Sequence, residues 1–263
     1  MAAPQPLSKA DELAERVSKF ICSVSHVSAK DSFEFKRLLR ETRELASVDV
    51  VESNCLQGLL LGLVGDDVEA ERLFDNAVAN KGGVRVLANK LSHFVNRMYF
   101  ARAFQLGVEL LDRRGDLAFH LLAPRVMMAG GFHAVVSALD RSQERHEVVK
   151  VTHDIEVAKV AAAVLTKLGL EDSHCVKVLD ALGELIRAQG LVWLDEFPGL
   201  SVVEDPGEDS AVLVNFRFDV SPQRAAELNW EFNELLVDRD LDRGGFFVHL
   251  IGQGVEADLP EPA

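Results

Sequence analysis

Four groups of residues in this chain have types and spacings that could carry chemistry or recognition. His153 and Asp154 place an imidazole and a carboxylate side by side. Both could ligate one metal ion, given further His and Asp ligands from neighbouring helices. His120, His133 and His146 are available, but no spacing selects them. The plainer account is that Asp154 caps a helix and His153 sits exposed before it. Cys175 follows His174 at an expected helix start, where the helix dipole would favour the thiolate. The plainer account there is a small apolar residue on a packing face, since free cysteines are mostly buried and inert.

The third group is Arg85, Asn89, His93 and Asn96. These stand at i, i+4, i+8 and i+11, so they form one polar stripe on a helix whose other side carries Leu87, Leu91, Phe94 and Met98. In stacked helix pairs the first helix of each pair lines the concave groove, so this stripe would meet a partner peptide. An ordinary solvated face is the alternative. The fourth group is Asn215, Arg217, Asn229 and Trp230. Arg217 is one of few basic residues near the C-terminus. Trp230 lies off the apolar face made by Ala225, Leu228 and Phe232, as an interface anchor would. Packing of Trp230 against the helical part of the chain is the plainer expectation.

No nucleotide-binding, zinc-protease, nucleophile-elbow or EF-hand motif occurs. "GQG" at Gly252–Gly254 is followed by no helix and so lacks the context of a dinucleotide fingerprint. No catalytic, metal or cofactor-binding residue is assigned, and no cofactor is expected.

The elements that must position these residues are mostly helices. Ser8 and Asp11 have capping-box spacing before "ELAERVSKF", and Asp31 with Glu34 repeats the relation before "FKRLLRETREL". "CLQGLLLGLV" is apolar all round and reads as a buried helix. "GDD", "KGG", "GD" and "GG" then punctuate helices near residues 68–80, 84–96, 98–113, 117–129 and 132–143. Two more helices follow, ending at Gly169 and Gly190. From Leu191 the composition becomes β-branched and aromatic. "EDPGED" is a turn signal, and "AVLVNFRFDV" alternates strictly, with Val212, Val214, Phe216 and Phe218 on one side. Ser221 and Pro222 start a helix, and "FFVHLI" closes with a strand. The order β-β-α-β predicts a small antiparallel sheet with one helix across it, with Leu191–Leu194 as a candidate extra strand.

Helices joined by very short loops fold back on one another. The pairs recur at roughly 34 residues, as Gly82 to Asp116 and Leu87 to Leu121 show. With a small residue, Ala129, ahead of Phe132, and "VEAERLFDNAV" as a second helix, residues 50–145 resemble a tetratricopeptide-type helical repeat. The family's tryptophan and closing proline are missing. The resemblance implies a groove for a protein partner.

Charge divides the chain unevenly. Residues 195–263 hold 16 of the 42 acidic residues but only 4 of the 28 Lys and Arg, which places −12 of the net −14 there. A nucleic-acid binder would need a basic face, and no Lys/Arg block supplies one, so no nucleic-acid partner is expected. The acidity favours solubility or a basic protein partner. No apolar run reaches the roughly 20 residues of a membrane span, and the first residues lack the charged-then-apolar order of a signal peptide. Cys22, Cys55 and Cys175 form no CxxC, which suits a reducing cytoplasm.

The expected architecture is therefore a mostly α protein: an antiparallel helical array over residues 1–190, then a small acidic α+β unit over 191–263. The expected function is a non-catalytic protein–protein interaction module, using a helical groove or the C-terminal sheet. The alternatives are an acidic inhibitor of a basic partner and an enzyme with a metal-dependent site. An open sheet edge would permit a homodimer by strand addition.

Overall fold

The computed structural model describes residues 8–24, 27–113, 116–145, 151–193, 198–203 and 210–254. It is mostly α-helical, with a small three-stranded sheet near the C-terminus. No helix among the described residues is long and apolar enough to cross a membrane. Contacts divide the chain into two compact units, residues 1–97 and 98–263. The helices preceding the sheet thus share a unit with it, and the division falls at Arg97/Met98 rather than near residue 190.

The first unit contains α1 (Lys9–Ile21), a 3-10 turn (Val27–Asp31), α2 (Phe33–Leu45), α3 (Val50–Leu63), α4 (Asp67–Ala79) and α5 (Val84–Asn96). Ser8 and Asp11 form the expected capping box. The cap of α2 is Ser32 rather than Asp31, because the preceding 3-10 turn uses Asp31 as its last residue. α3 is apolar all round because it packs on both sides. Leu56 and Leu60 join Leu13, Val17, Phe35 and Leu38. Cys55 joins Ala70, Phe74 and Ala77.

The second unit contains α6 (Phe100–Arg113), α7 (Asp116–Met128), α8 (Phe132–Glu144), α9 (His153–Lys167), α10 (Asp172–Ala188), β1 (Gly199–Val203), β2 (Ala211–Phe218), α11 (Pro222–Asp238) and β3 (Phe246–Gly252). α6 starts two residues later than the pattern predicts, because Met98 takes a left-handed conformation with φ 55°. Its carbonyl accepts from the Arg187 guanidinium, whose plane lies 4.0 Å over the Tyr99 ring. α10 presents Gly183 at that carbonyl, where a side chain would overlap it.

The sheet order is β1-β2-β3, with β2 central. β1 runs antiparallel to β2, but β3 runs parallel to it. The wholly antiparallel expectation fails on α11: a helix joining two neighbouring strands crosses the sheet and returns the chain to the same end. Leu191 makes only an isolated bridge, and Leu194 lies outside the described residues. The alternation in β2 holds. Val212, Val214, Phe216 and Phe218 are buried, with Phe216 packed on Phe100 and Trp193, and Phe246 on Phe132. These aromatic contacts tie the sheet to α6 and α8, which is why the sheet does not form a separate unit.

β3 is an edge strand. Val212 N–H donates to Gly245 O and Gln253 N–H to Phe218 O. Odd-numbered residues of β3 therefore pair with β2, while Phe246, Val248, Leu250 and Gly252 turn their backbone groups outward. Asn229 of α11 covers the middle of this edge. Its Oδ1 accepts from Leu250 N–H at 2.9 Å, and its Nδ2 donates to Leu250 O at 2.8 Å and to Ala225 O at 2.9 Å. A carboxamide thus imitates the next strand at that one residue, which blocks strand addition there.

Candidate functional site

The polar stripe of α5 faces α3, although Arg85 itself stays exposed. Arg85 pairs with Glu52 of α3, and the Asn89 amide donates to Cys55 Sγ at 3.1 Å. His93 is 3% exposed and lies between the Phe74 and Phe94 rings, over Gly62. Asn96, at the last position of α5, is half-buried. Three of the four residues are therefore spent on packing α5 against its neighbours. Burial raises the Glu52 carboxyl, against the pull of Arg85. The Cys55 thiol is pushed up to about 11 by burial, and burial also raises Cys175, which is fully enclosed. Neither is an activated thiol.

His153 is exposed and opens α9, with Thr152 rather than Asp154 at the cap. Asp154 and His120 line a largely apolar cavity of about 310 Å³ beside Pro124. Among the described residues no three His, Cys, Asp or Glu side chains converge as metal ligands would.

A hydroxyl–imidazole–carboxylate chain does occur, at residues with no local sequence signal. Thr166 Oγ1 is 3.0 Å from His133 Nε2, and His133 Nδ1 is 2.8 Å from Asp172 Oδ1. The partners lie 33 and 39 residues apart. The arrangement does not supply a nucleophile. The Thr166 hydroxyl donates to Ala162 O at 2.8 Å, so its proton is not offered to the imidazole. Both Asp172 oxygens accept from amides that open α8, His133 N–H at 3.0 Å and Ala134 N–H at 2.9 Å. Gly131, at the cap of α8, has no side chain to do this. Asp172, in the first turn of α10, thus caps α8 from a distance, while Glu171 occupies the N-cap of its own helix.

No family model, curated protein or solved structure matches this chain. The surface of the second unit carries the remaining candidates.

Trp230 is 69% exposed and does not pack against the helices before it. Its indole N–H donates to Glu234 Oε1 at 2.8 Å, one turn along α11. Val237, two turns on, is also exposed, and Glu227 and Asp238 flank the stripe. The outward face of the sheet is uncovered as well. Arg217 and His249 are exposed there, Asn215 is half-buried opposite His249, and Phe247 is 50% exposed. Asn215 and Arg217 therefore share a face with an apolar residue, Phe247.

A cleft of about 540 Å³ lies between α10 and the chain that follows α11. His174, Lys177, Asp180 and Glu184 contribute from α10, and Arg239 and Arg243 from the other wall. Glu184 pairs with Arg239 at 2.6 Å, and Asp180 accepts from Ala101 N–H at 3.1 Å. Burial, Arg243 and then Lys177 lower the His174 imidazole below its usual range.

Proposed function

We propose that the protein is a non-catalytic binding module, working in a reducing cytoplasmic setting, that holds a basic protein partner on its acidic C-terminal part. The observation that carries this reading is Trp230: a large aromatic, exposed, held in one orientation by Glu234, on a helix rich in carboxylates. Single exposed apolar residues are ordinary. An indole fixed by its own hydrogen bond has lost little further freedom to lose on binding, which is what an anchor residue needs. An Arg or Lys of a partner could lie over its electron-rich face and meet Glu234 at its edge. The uncovered sheet face, with Phe247 among polar neighbours, supports a second contact area. The excess of negative charge in residues 195–263 supports attraction over a distance.

The antiparallel helix hairpins support the idea of a helical scaffold, as the tetratricopeptide-type resemblance implies. The stripe of α5, which faces α3, leaves the C-terminal surface as the better binding face.

The test is site-specific photo-crosslinking in the native host, with the probe at residue 230, at 247, or at Lys81 as a control. A single basic protein should crosslink from 230 and not from 81. Its affinity should fall about tenfold or more in Trp230→Ala with the helical content unchanged, and should weaken as salt rises. Full affinity in Trp230→Ala, or insensitivity to salt, would overturn the reading.

A further inference from the structure

The sheet has two edges, β1 and β3, and they are finished differently. On β3 the Asn229 carboxamide holds the outward N–H and C=O of Leu250. On β1 the outward groups follow from the register. Val212 N–H and Phe218 O bond toward β3, and the backbone groups of successive residues in a strand point to opposite sides. The odd-numbered residues of β2 therefore face β1. Their partners there are Gly199, Ser201 and Val203. Leu200 and Val202 are left with both backbone groups turned away from the sheet. Among the described residues nothing is hydrogen-bonded to these four groups.

The side chains tell the same story. Leu200 and Val202 share the apolar face of the sheet with Val214 and Val212, opposite which they stand. Val212 and Val214 are fully buried, whereas Leu200 and Val202 are only half-buried. α9 contacts β1 and β2 alike, as a helix over the face does, and leaves the edge itself unpaired. Leu200 also borders a small apolar hollow shared with Met127, Phe132 and Pro198. β1 lacks the devices that protect an edge, since "GLSVV" holds no charge and no proline.

We propose that an extended, basic segment of a protein partner adds to the free edge of β1 as a further strand. This rests on the basic-partner reading above and adds the manner of binding. Four backbone groups at Leu200 and Val202 would supply hydrogen bonds, and alternate side chains of the added strand would complete the cover over Leu200 and Val202. Charge selects the occupant. Between Arg187 and Arg217 the sequence holds no Lys or Arg, but it holds Asp195 and Glu196 before β1 and Glu204, Asp205, Glu208 and Asp209 after it. Glu204 is bonded directly to Val203, the last residue of the strand. A segment with Lys or Arg around an apolar centre meets opposite charge there. A second copy of this chain would bring an equally acidic stretch, with no cation to offset it.

The experiment is native-state hydrogen exchange by NMR on the full chain, with the synthetic peptide KKVTVTVKK as the probe. In the free chain the Leu200 and Val202 amides should exchange about tenfold or more faster than the Ser201 amide, which bonds to β2. Saturating peptide should slow both by about tenfold or more and leave Ser201 unchanged. The peptide EEVTVTVEE should bind about tenfold more weakly, and the difference should shrink as salt rises. Val202→Pro removes an outward donor at an edge, a place where proline is tolerated. It should abolish the gain at Leu200 while the Leu213 amide, bonded toward β1, stays protected. Ser201→Lys, at an exposed position, gives a second arm that leaves the ladder intact: it should weaken KKVTVTVKK and strengthen EEVTVTVEE. Leu200 and Val202 amides that are protected in the dilute free chain, or unmoved by KKVTVTVKK, overturn the proposal. Protection that grows with the concentration of the chain alone assigns the edge to a second copy and overturns the choice of occupant, as does equal binding of EEVTVTVEE. If the partner crosslinked at residue 230 binds with both amides still fast, the basic-partner reading stands and strand addition at β1 falls.

Discussion

Replacing Asn229 tests whether one side chain closes the edge of the sheet. Leu250 is 1% exposed, and both of its backbone groups depend on Asn229. In Asn229→Leu the branching and heavy-atom count of the side chain are kept while both partners vanish. Each buried backbone group left unpaired costs about 1–3 kcal/mol. Some water reaches an edge strand, so the two together should cost about 2–4 kcal/mol rather than the full sum. The chain has two compact units, so global unfolding is a poor gauge of this. Native-state hydrogen exchange at the Leu250 amide reports on the site itself. A loss of about 2 kcal/mol would speed its exchange roughly thirtyfold, while the Phe247 amide, bonded to β2, should change less. Asn229→Asp adds a sharper arm. The carboxylate can accept from Leu250 N–H but has no donor for Leu250 O or Ala225 O. Protonation restores one donor, so this variant should regain part of its protection as pH falls through about 4. If Asn229→Leu exchanges as the wild type does, or if Asn229→Asp shows no pH dependence of its own, the edge is held by other contacts and the argument fails.

Three further outcomes follow from contacts of the same kind. Asp172→Ala removes the side chain that caps α8 and orphans two amides, and should cost about 2–3 kcal/mol by native-state hydrogen exchange at the His133 and Ala134 amides, with Asp172→Asn recovering part of it. Arg85→Ala leaves the buried Glu52 without its cation. Arg85 is largely exposed, so the cost should be modest, about 1–2 kcal/mol at neutral pH, and Glu52→Gln in the same chain should abolish it in a double-mutant cycle. Because burial raises the Glu52 carboxyl, its contribution is present at low pH and is lost as pH rises through the folded-state value, so Glu52→Gln should flatten that part of the stability profile. Gly183→Ala forces a methyl group onto the Met98 carbonyl, and should lower the melting temperature by an overpacking cost of about 1–3 kcal/mol without altering α11 or the sheet.

The elements were legible in this sequence to the extent that they follow local rules. Strict alternation in β2 identified its buried face because a side-chain period of two leaves one choice. Ser8 and Ser221 announced their helices because capping is read within four residues. What failed depends on distance. The parallel course of β3 follows from the path of α11 over the sheet, which no window of the sequence contains. The stripe Arg85, Asn89, His93 and Asn96 has the spacing of a solvated or binding face, yet Glu52, Cys55 and Gly62 of α3 receive three of its members. Polar residues at helical period show which side of a helix is polar, not whether another helix offers it partners. The Thr166–His133–Asp172 chain and the cleft beside α10 were invisible for the same reason.

The two uses of polar side chains in the second unit separate structure from function. Asp172 and Asn229 are enclosed, and their polar atoms are matched to backbone groups of another element. Such groups fix geometry, and a ligand could reach them only by undoing the fold. Glu234 is exposed and spends its bond on orienting Trp230 toward solvent, where that bond stabilises the fold by little.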